Sequence, residues 1–300
     1  MPNWNDVLQE TIQQQQSAPV DIVRRKYLAR LYEKTQRNVI AYYSGWIEKP
    51  NFPSFVLGIS DQDMGGFMSV IHKLDRSRGL DLILHTPGGN IAATEALVEY
   101  LWRMFERDMR VIVPQIAMSA GTMVACAAKT IVMGKHSNLG PIDPQIGSFA
   151  AQAVLKEFKI AAQQIHDNPE TYPVWKMVIE KYPASFFVSC LHAIALSDTL
   201  TKRWLLNNMF ADEPQDVAMA KADNITKVLN DHSESLVHER HFSVDYCRAL
   251  GLNIQSLEED DELQDLVLTV HHAYAHTFSQ TKIVKIIENH DGVAMALLAA

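Results

Sequence analysis

The sequence lacks four features that would each indicate a particular class of protein. Its three cysteines, Cys126, Cys190 and Cys247, are too widely spaced for a disulfide framework or a Cys-x-x-Cys metal pair. No uninterrupted apolar run reaches the roughly 18 residues of a membrane-spanning helix. The net charge is −8 and Lys and Arg form no dense cluster, which argues against nucleic-acid binding. The polar, Gln-rich N-terminus also lacks the apolar core of a secretory signal. We therefore predict a cytoplasmic protein with no membrane span.

The 300 residues are 47% hydrophobic and 21% charged, as in ordinary globular proteins. Hydrophobic periodicity and turn signals divide them into three regions. We predict N-terminal helices over residues 1–36, an α/β core over 37–149 and a mainly helical region over 150–300.

Strands and helices alternate through the middle of the core. Residues 80–85 and 110–114 are apolar enough to be buried strands, and a helix over 91–106 lies between them. A small-residue helix over 119–129 precedes a further strand over 130–133. This alternation predicts a mostly parallel sheet with right-handed crossovers. Further along the chain, helices are predicted over 151–164, 185–208, 213–230 and 263–288.

Two segments that each follow a predicted strand contain the residues suited to chemistry. The first is His-Thr-Pro-Gly-Gly-Asn at 85–90, where the glycines let the backbone approach a ligand at a helix N-terminus. The second is Ala-Met-Ser-Ala-Gly-Thr at 117–122, which places Ser119 at a strand-to-helix turn. Taken singly, a Pro-Gly-Gly segment is commonly a simple turn, and a serine before a helix is commonly an N-cap. Their order, with one strand–helix unit between them, is far more specific.

In this order the two segments resemble the serine peptidases of the Clp/crotonase fold. The loop Gly-Pro-Ile-Asp-Pro-Gln at 140–145 most resembles the serine dehydrogenase proteinase family, which is related to signal peptide peptidase A. The resemblance is dense over residues 80–147 and looser over the helical region. It implies a Clp/crotonase-like α/β core with a mostly parallel sheet, followed by a mainly helical C-terminal half.

The resemblance also implies roles for individual residues. Ser119 matches the nucleophile, and the backbone N–H groups of Gly89 and Ala120 match the donors of the oxyanion hole. Pro87 and Gly88 match the loop that binds the substrate. Two preorganised N–H groups facing a developing oxyanion can each contribute about 3 kcal/mol of transition-state stabilisation.

The general base is less clearly marked. The Clp proteolytic subunit has a histidine at the end of the loop after the nucleophile helix, where this chain has Ile142-Asp143-Pro144. The branch that contains signal peptide peptidase A uses a lysine, which must be desolvated or lie near positive charge to act as a base. We predict Lys176, because it has apolar neighbours on both sides in the sequence. The alternatives are Lys181, Lys156 and His241.

The predicted reaction is the hydrolysis of peptide bonds in a peptide or protein substrate. One alternative is a non-catalytic oligomeric scaffold of the same fold, and another is an acyl-CoA enzyme of the crotonase type. We expect a homo-oligomer, as in the family's relatives, and no cofactor. The pairs His272/His276 and His238/His241 have spacings that metal ligands use. Without a third ligand in the sequence, we interpret them as polar histidines on helix surfaces and predict no metal.

Overall fold

The structure, a computed structural model, describes residues 19–147, 149–230 and 240–299. The helices are α1 (Pro19–Thr35), α2 (Ser54–Leu57), α3 (Gln62–Ile71), α4 (Ile91–Phe105), α5 (Ala120–Cys126), α6 (Ala151–Asp167), α7 (Tyr172–Ile179), α8 (Phe186–Trp204), α9 (Gln215–Asn230), α10 (Val244–Leu250) and α11 (Asp261–Gln280). The strands are β1 (Asn38–Ser44), β2 (Leu80–His85), β3 (Met109–Val113), β4 (Ile116–Ala117), β5 (Thr130–Met133), β6 (Asn138–Leu139), β7 (Gln145–Ile146), β8 (Phe149–Ala150), β9 (Phe242–Ser243), β10 (Ile254–Ser256), β11 (Ile283–Asn289) and β12 (Ala294–Leu298).

A seven-stranded sheet in the order β10-β5-β3-β2-β1-β11-β12 forms the centre of the molecule. The five strands from β10 to β1 are parallel, and β11 and β12 add two antiparallel strands beyond β1. The predicted α/β core with a mostly parallel sheet is confirmed. Because the carboxyl ends of parallel strands meet at one edge of a sheet, the segments that follow β2 and β3 lie side by side.

Helices cover both faces of this sheet. On one face, Tyr42, Leu82 and Val111 pack with apolar residues of α3, α4 and α5. On the other face, Ile83 and Ile112 pack with α1 and α11. Strands β1 and β2 are buried along their whole length, which explains why their sequences are apolar runs rather than an alternation of apolar and polar residues.

The C-terminal part of the chain differs from the prediction. We predicted one helix over 263–288, but α11 ends at Gln280 and β11 begins at Ile283. The β-branched residues Ile283, Val284, Ile286 and Ile287 favour a strand, and β11 pairs with β1 on one side and with the edge strand β12 on the other. Because the chain returns to the core in this way, the predicted division near residue 150 stays a prediction. The predicted N-terminal helix before Pro19 lies outside the described residues.

A helical hairpin follows the core. Helices α6 and α8 pack against each other around Val154 and Cys190. Helix α7, at the end of this hairpin, has no buried residue, and its Tyr172, Val174 and Met177 are more than half exposed. The hairpin therefore presents apolar side chains that the described part of the chain does not cover.

The histidine prediction is wrong at one position. His276 is buried on α11 and only 2% exposed, whereas surface histidines were predicted. His238 lies outside the described residues. Within the described ranges, no group of three or more His, Cys, Asp or Glu side chains is arranged to hold a metal ion. No helix in those ranges is long and apolar enough to span a bilayer.

Candidate active site

The two segments predicted to carry chemistry lie next to each other. The backbone of Thr86, after β2, pairs with Ala117 of β4. The Met118 N–H donates to the Thr86 carbonyl at 3.0 Å. The parallel order of β2 and β3 thus brings the Pro-Gly-Gly segment against the turn that carries Ser119.

Gly88 touches Ser119 directly. A Cβ built on Gly88 would lie 2.7 Å from the Ser119 Cβ and 3.0 Å from the Ala120 nitrogen. Gly88 also has a φ of +102°, a conformation that residues with side chains rarely adopt. Only glycine fits here without moving the nucleophile turn.

Ser119 has the local structure of a strained turn rather than a helix cap. Its φ is 51° and its ψ −118°, and its side chain makes no capping hydrogen bond to α5. The interpretation of this serine as a plain N-cap is therefore wrong. A non-glycine residue held at positive φ stores strain, and such residues concentrate at functional sites. The half-buried side chain lines a groove on the surface.

Gly89 is held from the other side by Ile59. The Ile59 N–H donates to the Gly88 carbonyl at 2.7 Å, and the Asn90 N–H donates to the Ile59 carbonyl at 2.9 Å. A Cβ on Gly89 would lie 2.2 Å from the Ile59 nitrogen. Among the described residues, no acceptor takes the N–H of Gly89 or that of Ala120. Gly89 lines the groove, and Ala120, next to Ser119 in the chain, is buried.

The loop at 140–145 is fixed by hydrogen bonds to three helices. The Thr122 hydroxyl of α5 donates to the Gly140 carbonyl at 2.9 Å and accepts from the Gly140 N–H at 3.0 Å. The Ile142 N–H donates to the Leu229 carbonyl of α9, and the Ser197 hydroxyl of α8 donates to the Ile142 carbonyl. These bonds hold Ile142 in the wall of the groove.

The groove has a volume of about 750 Å³ and is largely apolar. Met123, Ile142 and Leu196 line it opposite the Pro87–Gly89 segment, and Phe55, 79% exposed, also lines it. Asp61 is the ionisable side chain among the residues that line it. Within the part of the chain that the structure describes, no lysine or histidine lines the groove.

Lys176 does not have the surroundings that we predicted. Its side chain is 55% exposed on α7, and its Nζ lies 3.7 Å from the Glu180 carboxylate. The expectation that apolar sequence neighbours would bury this lysine is wrong, because Val174 and Met177 are themselves exposed. The alternatives Lys156, Lys181 and His241 are also exposed, and none of them lines the groove.

Sequence reasoning missed a buried ion pair beside the groove. Lys285 of β11 and Asp63 of α3 are each 1% exposed and lie 2.8 Å apart. The helix predicted over 263–288 includes Lys285, whereas the structure places this residue on strand β11, between β1 and β12. The β-branched residues on both sides of it were the signal that could have placed it on a strand.

His85 precedes the Pro-Gly-Gly segment but faces the other side of the sheet. It packs against Tyr43 and His271, next to α11. Burial lowers the pKa of His85 to about 4. Its ring is therefore neutral at pH 7, and it lies on the opposite face of β2 from Leu84 and the core beneath Ser119.

Comparison with known proteins supports the same family as the motifs. A family described as ClpP-like SDH-type serine proteinases matches residues 7–174. Two uncharacterized proteins of Methanocaldococcus jannaschii are 38% and 34% identical to the chain over 98 and 110 residues. These matches cover 33% and 37% of this chain and 34% and 37% of the two relatives, so only about a third of each relative's length is spanned. No solved structure matches significantly.

Proposed function

Because the chain belongs to the ClpP-like SDH-type serine proteinases, we propose that it hydrolyses peptide bonds through an acyl-enzyme on Ser119. The Ser119 Oγ attacks the peptide carbonyl, and a base takes its proton. The tetrahedral intermediate expels the amine, which receives that proton, and leaves an ester on Ser119. Water then attacks the ester and releases the carboxylic acid.

One observation carries this proposal: Ser119 lies at a strained turn in contact with a glycine loop and makes no capping hydrogen bond. The two N–H groups beside it have no acceptor among the described residues. A serine that only capped the N-terminus of α5 would need neither the positive φ nor the close approach of Gly88. Strain maintained by surrounding packing is what a fixed nucleophile requires.

The N–H groups of Gly89 and Ala120 form the oxyanion hole in this proposal. They come from opposite sides of the Gly88–Ser119 contact, and both are held by backbone that cannot easily move. The substrate lies along Pro87 and Gly88 in the groove. Loss of one such donor typically costs about 3 kcal/mol in the transition state.

We further propose a Ser–Lys mechanism in which assembly brings the base to the nucleophile. Lys176 is exposed in the single chain, and Tyr172, Val174 and Met177 are exposed on the same helix, α7. A second copy that covered α7 would desolvate the lysine, which is one of the conditions that a lysine base needs. The partner on this surface is therefore a second copy of the chain, whose groove presents the apolar residues Ile142, Leu196 and Phe55. The protein is a homo-oligomer in this account.

The compartment in this proposal is the cytoplasm. Cys126, Cys190 and Cys247 are all free and buried. Proteins that work in oxidising compartments commonly use cysteines in disulfides, so free cysteines support a reducing compartment.

Cleavage of an unstructured protein such as casein tests the activity. The wild-type protein should release new amino termini, and Ser119→Ala should release none. A scaffold would leave the substrate intact. An acyl-CoA enzyme would leave it intact too, but would convert an enoyl-CoA whether or not Ser119 is present.

A further inference from the structure

The ion pair between Lys285 and Asp63 belongs to a fully satisfied buried cluster. The Lys285 ammonium donates to both Asp63 carboxylate oxygens, at 2.8 and 3.1 Å, and to the Gly58 carbonyl at 2.8 Å. The Tyr42 hydroxyl and the Ser60 N–H each donate to Asp63 Oδ2 at 2.9 Å. The ammonium also lies over the Tyr42 ring, 5.7 Å from its centre. Every member of the cluster therefore has a partner.

Stability alone does not explain the cluster. Removing two charges from water is costly, and a buried ion pair can often be replaced by apolar residues with little loss of stability. The two charges contribute something that an apolar pair could not: a donor for the Gly58 carbonyl and an acceptor for the Ser60 N–H. The ion pair thus holds the backbone on both sides of Ile59.

Ile59 is the residue that positions the glycine loop. Its N–H and carbonyl bond to the Gly88 carbonyl and the Asn90 N–H, so that Gly89 lies between these two bonds. The contact is tight, because a Cβ on Gly58 would already lie 3.0 Å from the Gly88 oxygen. A shift of the Gly58–Ser60 backbone would be transmitted to the Gly89 N–H.

We propose that Lys285 and Asp63 are positioning residues for the oxyanion hole, acting through Gly58, Ile59 and Ser60 on the loop that carries Gly89. This role rests on the proposed function of Ser119. Lys285 is not itself the base, because its N–H groups are engaged by Asp63 and Gly58 and it does not line the groove. Small displacements suffice, since a catalytic constellation tolerates errors of only about 0.5 Å.

The test compares two double variants, each of which changes one residue of β11 and its partner on a helix. Asp63→Asn/Lys285→Met removes both charges, so that neither is left buried alone. Its matched control is Arg24→Met/Glu288→Gln, which removes a buried ion pair with an N–O distance of 2.5 Å on the opposite face of β11. The measurements are the thermal unfolding temperature, the second-order rate of Ser119 labelling by a fluorophosphonate, and kcat and KM for peptide cleavage.

Asp63→Asn/Lys285→Met should stay folded, label at least about tenfold more slowly and lose kcat with KM nearly unchanged, since the oxyanion donor acts in the transition state. The Arg24→Met/Glu288→Gln control should change the unfolding temperature but label within about twofold of the wild-type rate. Labelling of folded Asp63→Asn/Lys285→Met at the wild-type rate would overturn the proposal. A wild-type protein that does not label at all would instead overturn the proposed function.

A second pair of variants avoids any change of buried charge. Gly58→Ala places a methyl group 3.0 Å from the Gly88 oxygen and 3.2 Å from the Gly89 Cα, at a φ of −79° that alanine accepts. Gly65→Ala on α3 is the control, because nothing lies within 4 Å of its Cβ. Gly58→Ala should slow labelling several-fold and Gly65→Ala should leave it unchanged. Equal labelling rates for the two would contradict the proposal even if the double variant failed to fold.

Discussion

Gly88 and Ser119 are in such close contact that a Cβ on the glycine would lie 2.7 Å from the Cβ of the serine. The distance joins two segments that are far apart in the sequence and adjacent at one edge of the sheet. Because of this contact, a displacement of the glycine loop would also displace the turn that carries Ser119.

Gly88→Ala should therefore abolish labelling of Ser119. The new methyl group would push the serine or the Ala120 N–H out of place, and the φ of +102° adds strain of about 1–2 kcal/mol. Gly251→Ala is a matched control, since its φ is +103° but nothing lies within 4 Å of its Cβ. The positive φ should lower the free energy of unfolding of both variants by a similar amount, whereas only Gly88→Ala should lose the labelling of Ser119. If both label at the wild-type rate, the contact has no functional consequence.

Ser119→Gly should be more stable than Ser119→Ala by about 1 kcal/mol, although neither can form an acyl-enzyme. Glycine relieves the strain of the φ of 51°, whereas alanine keeps it. Urea unfolding of the two variants measures the difference directly. Equal free energies of unfolding would mean that the turn at Ser119 is not strained.

Acid should destabilise the fold through His85. The buried ring has a pKa of about 4, lowered by desolvation, whereas an unfolded histidine has a pKa near 6.5. Between these values the unfolded chain binds the extra proton, so stability is fully present above pH 6.5 and falls toward pH 4. The loss assigned to His85 is about 3 kcal/mol, from about 1.4 kcal/mol per pKa unit. Burial lowers the pKa of His271 as well, which adds a loss of the same sign.

The His85→Phe variant tests this origin. It replaces the titrating ring by a neutral ring of similar size, so its free energy of unfolding should fall less between pH 6.5 and 4 than that of the wild type. Denaturant unfolding at several pH values supplies both slopes. Parallel curves for the two proteins would show that His85 is not the source.

Lys176→Ala should remove peptidase activity while changing the free energy of unfolding by less than about 0.5 kcal/mol, because an exposed i,i+4 ion pair contributes little. Lys181→Ala, at another exposed lysine beyond α7, is the control and should stay active. Mixing Ser119→Ala with Lys176→Ala subunits should restore part of the activity, since one copy supplies the serine and the other the lysine. An inactive mixture would contradict base donation between copies, and an active Lys176→Ala protein would remove Lys176 from the mechanism.

The nucleophile segment could be predicted because its motifs are local in the sequence. The ion pair of Lys285 and Asp63 could not, because its two residues are distant in the sequence. Pro87, Gly88 and Ser119 follow strands whose apolar runs are legible in the sequence, and parallel pairing brings such strand ends together. Lys285 and Asp63 lie far apart in the chain and meet because β11 pairs with β1, a strand from a distant part of the sequence. No proline or glycine separates α11 from the strand at 283–289. The sequence therefore has no turn residue to indicate where the helix ends.

The surroundings of the predicted base, Lys176, could not be predicted for a different reason. Apolar neighbours in the sequence predicted a buried Lys176, but Val174 and Met177 are themselves 64% and 69% exposed. Apolar composition alone does not say whether a short helix is covered by its own chain, by another copy or by nothing.

Labelling with a fluorophosphonate, read by intact-protein and peptide mass spectrometry, shows whether Ser119 is an activated nucleophile. The wild-type protein should gain one phosphonyl group, located on Ser119 within the peptide that contains Gly121 and Thr122. Ser119→Ala should gain none while keeping the wild-type circular dichroism spectrum. An unlabelled wild-type protein, or a label that persists on another residue in Ser119→Ala, would contradict the assignment of Ser119 as the nucleophile.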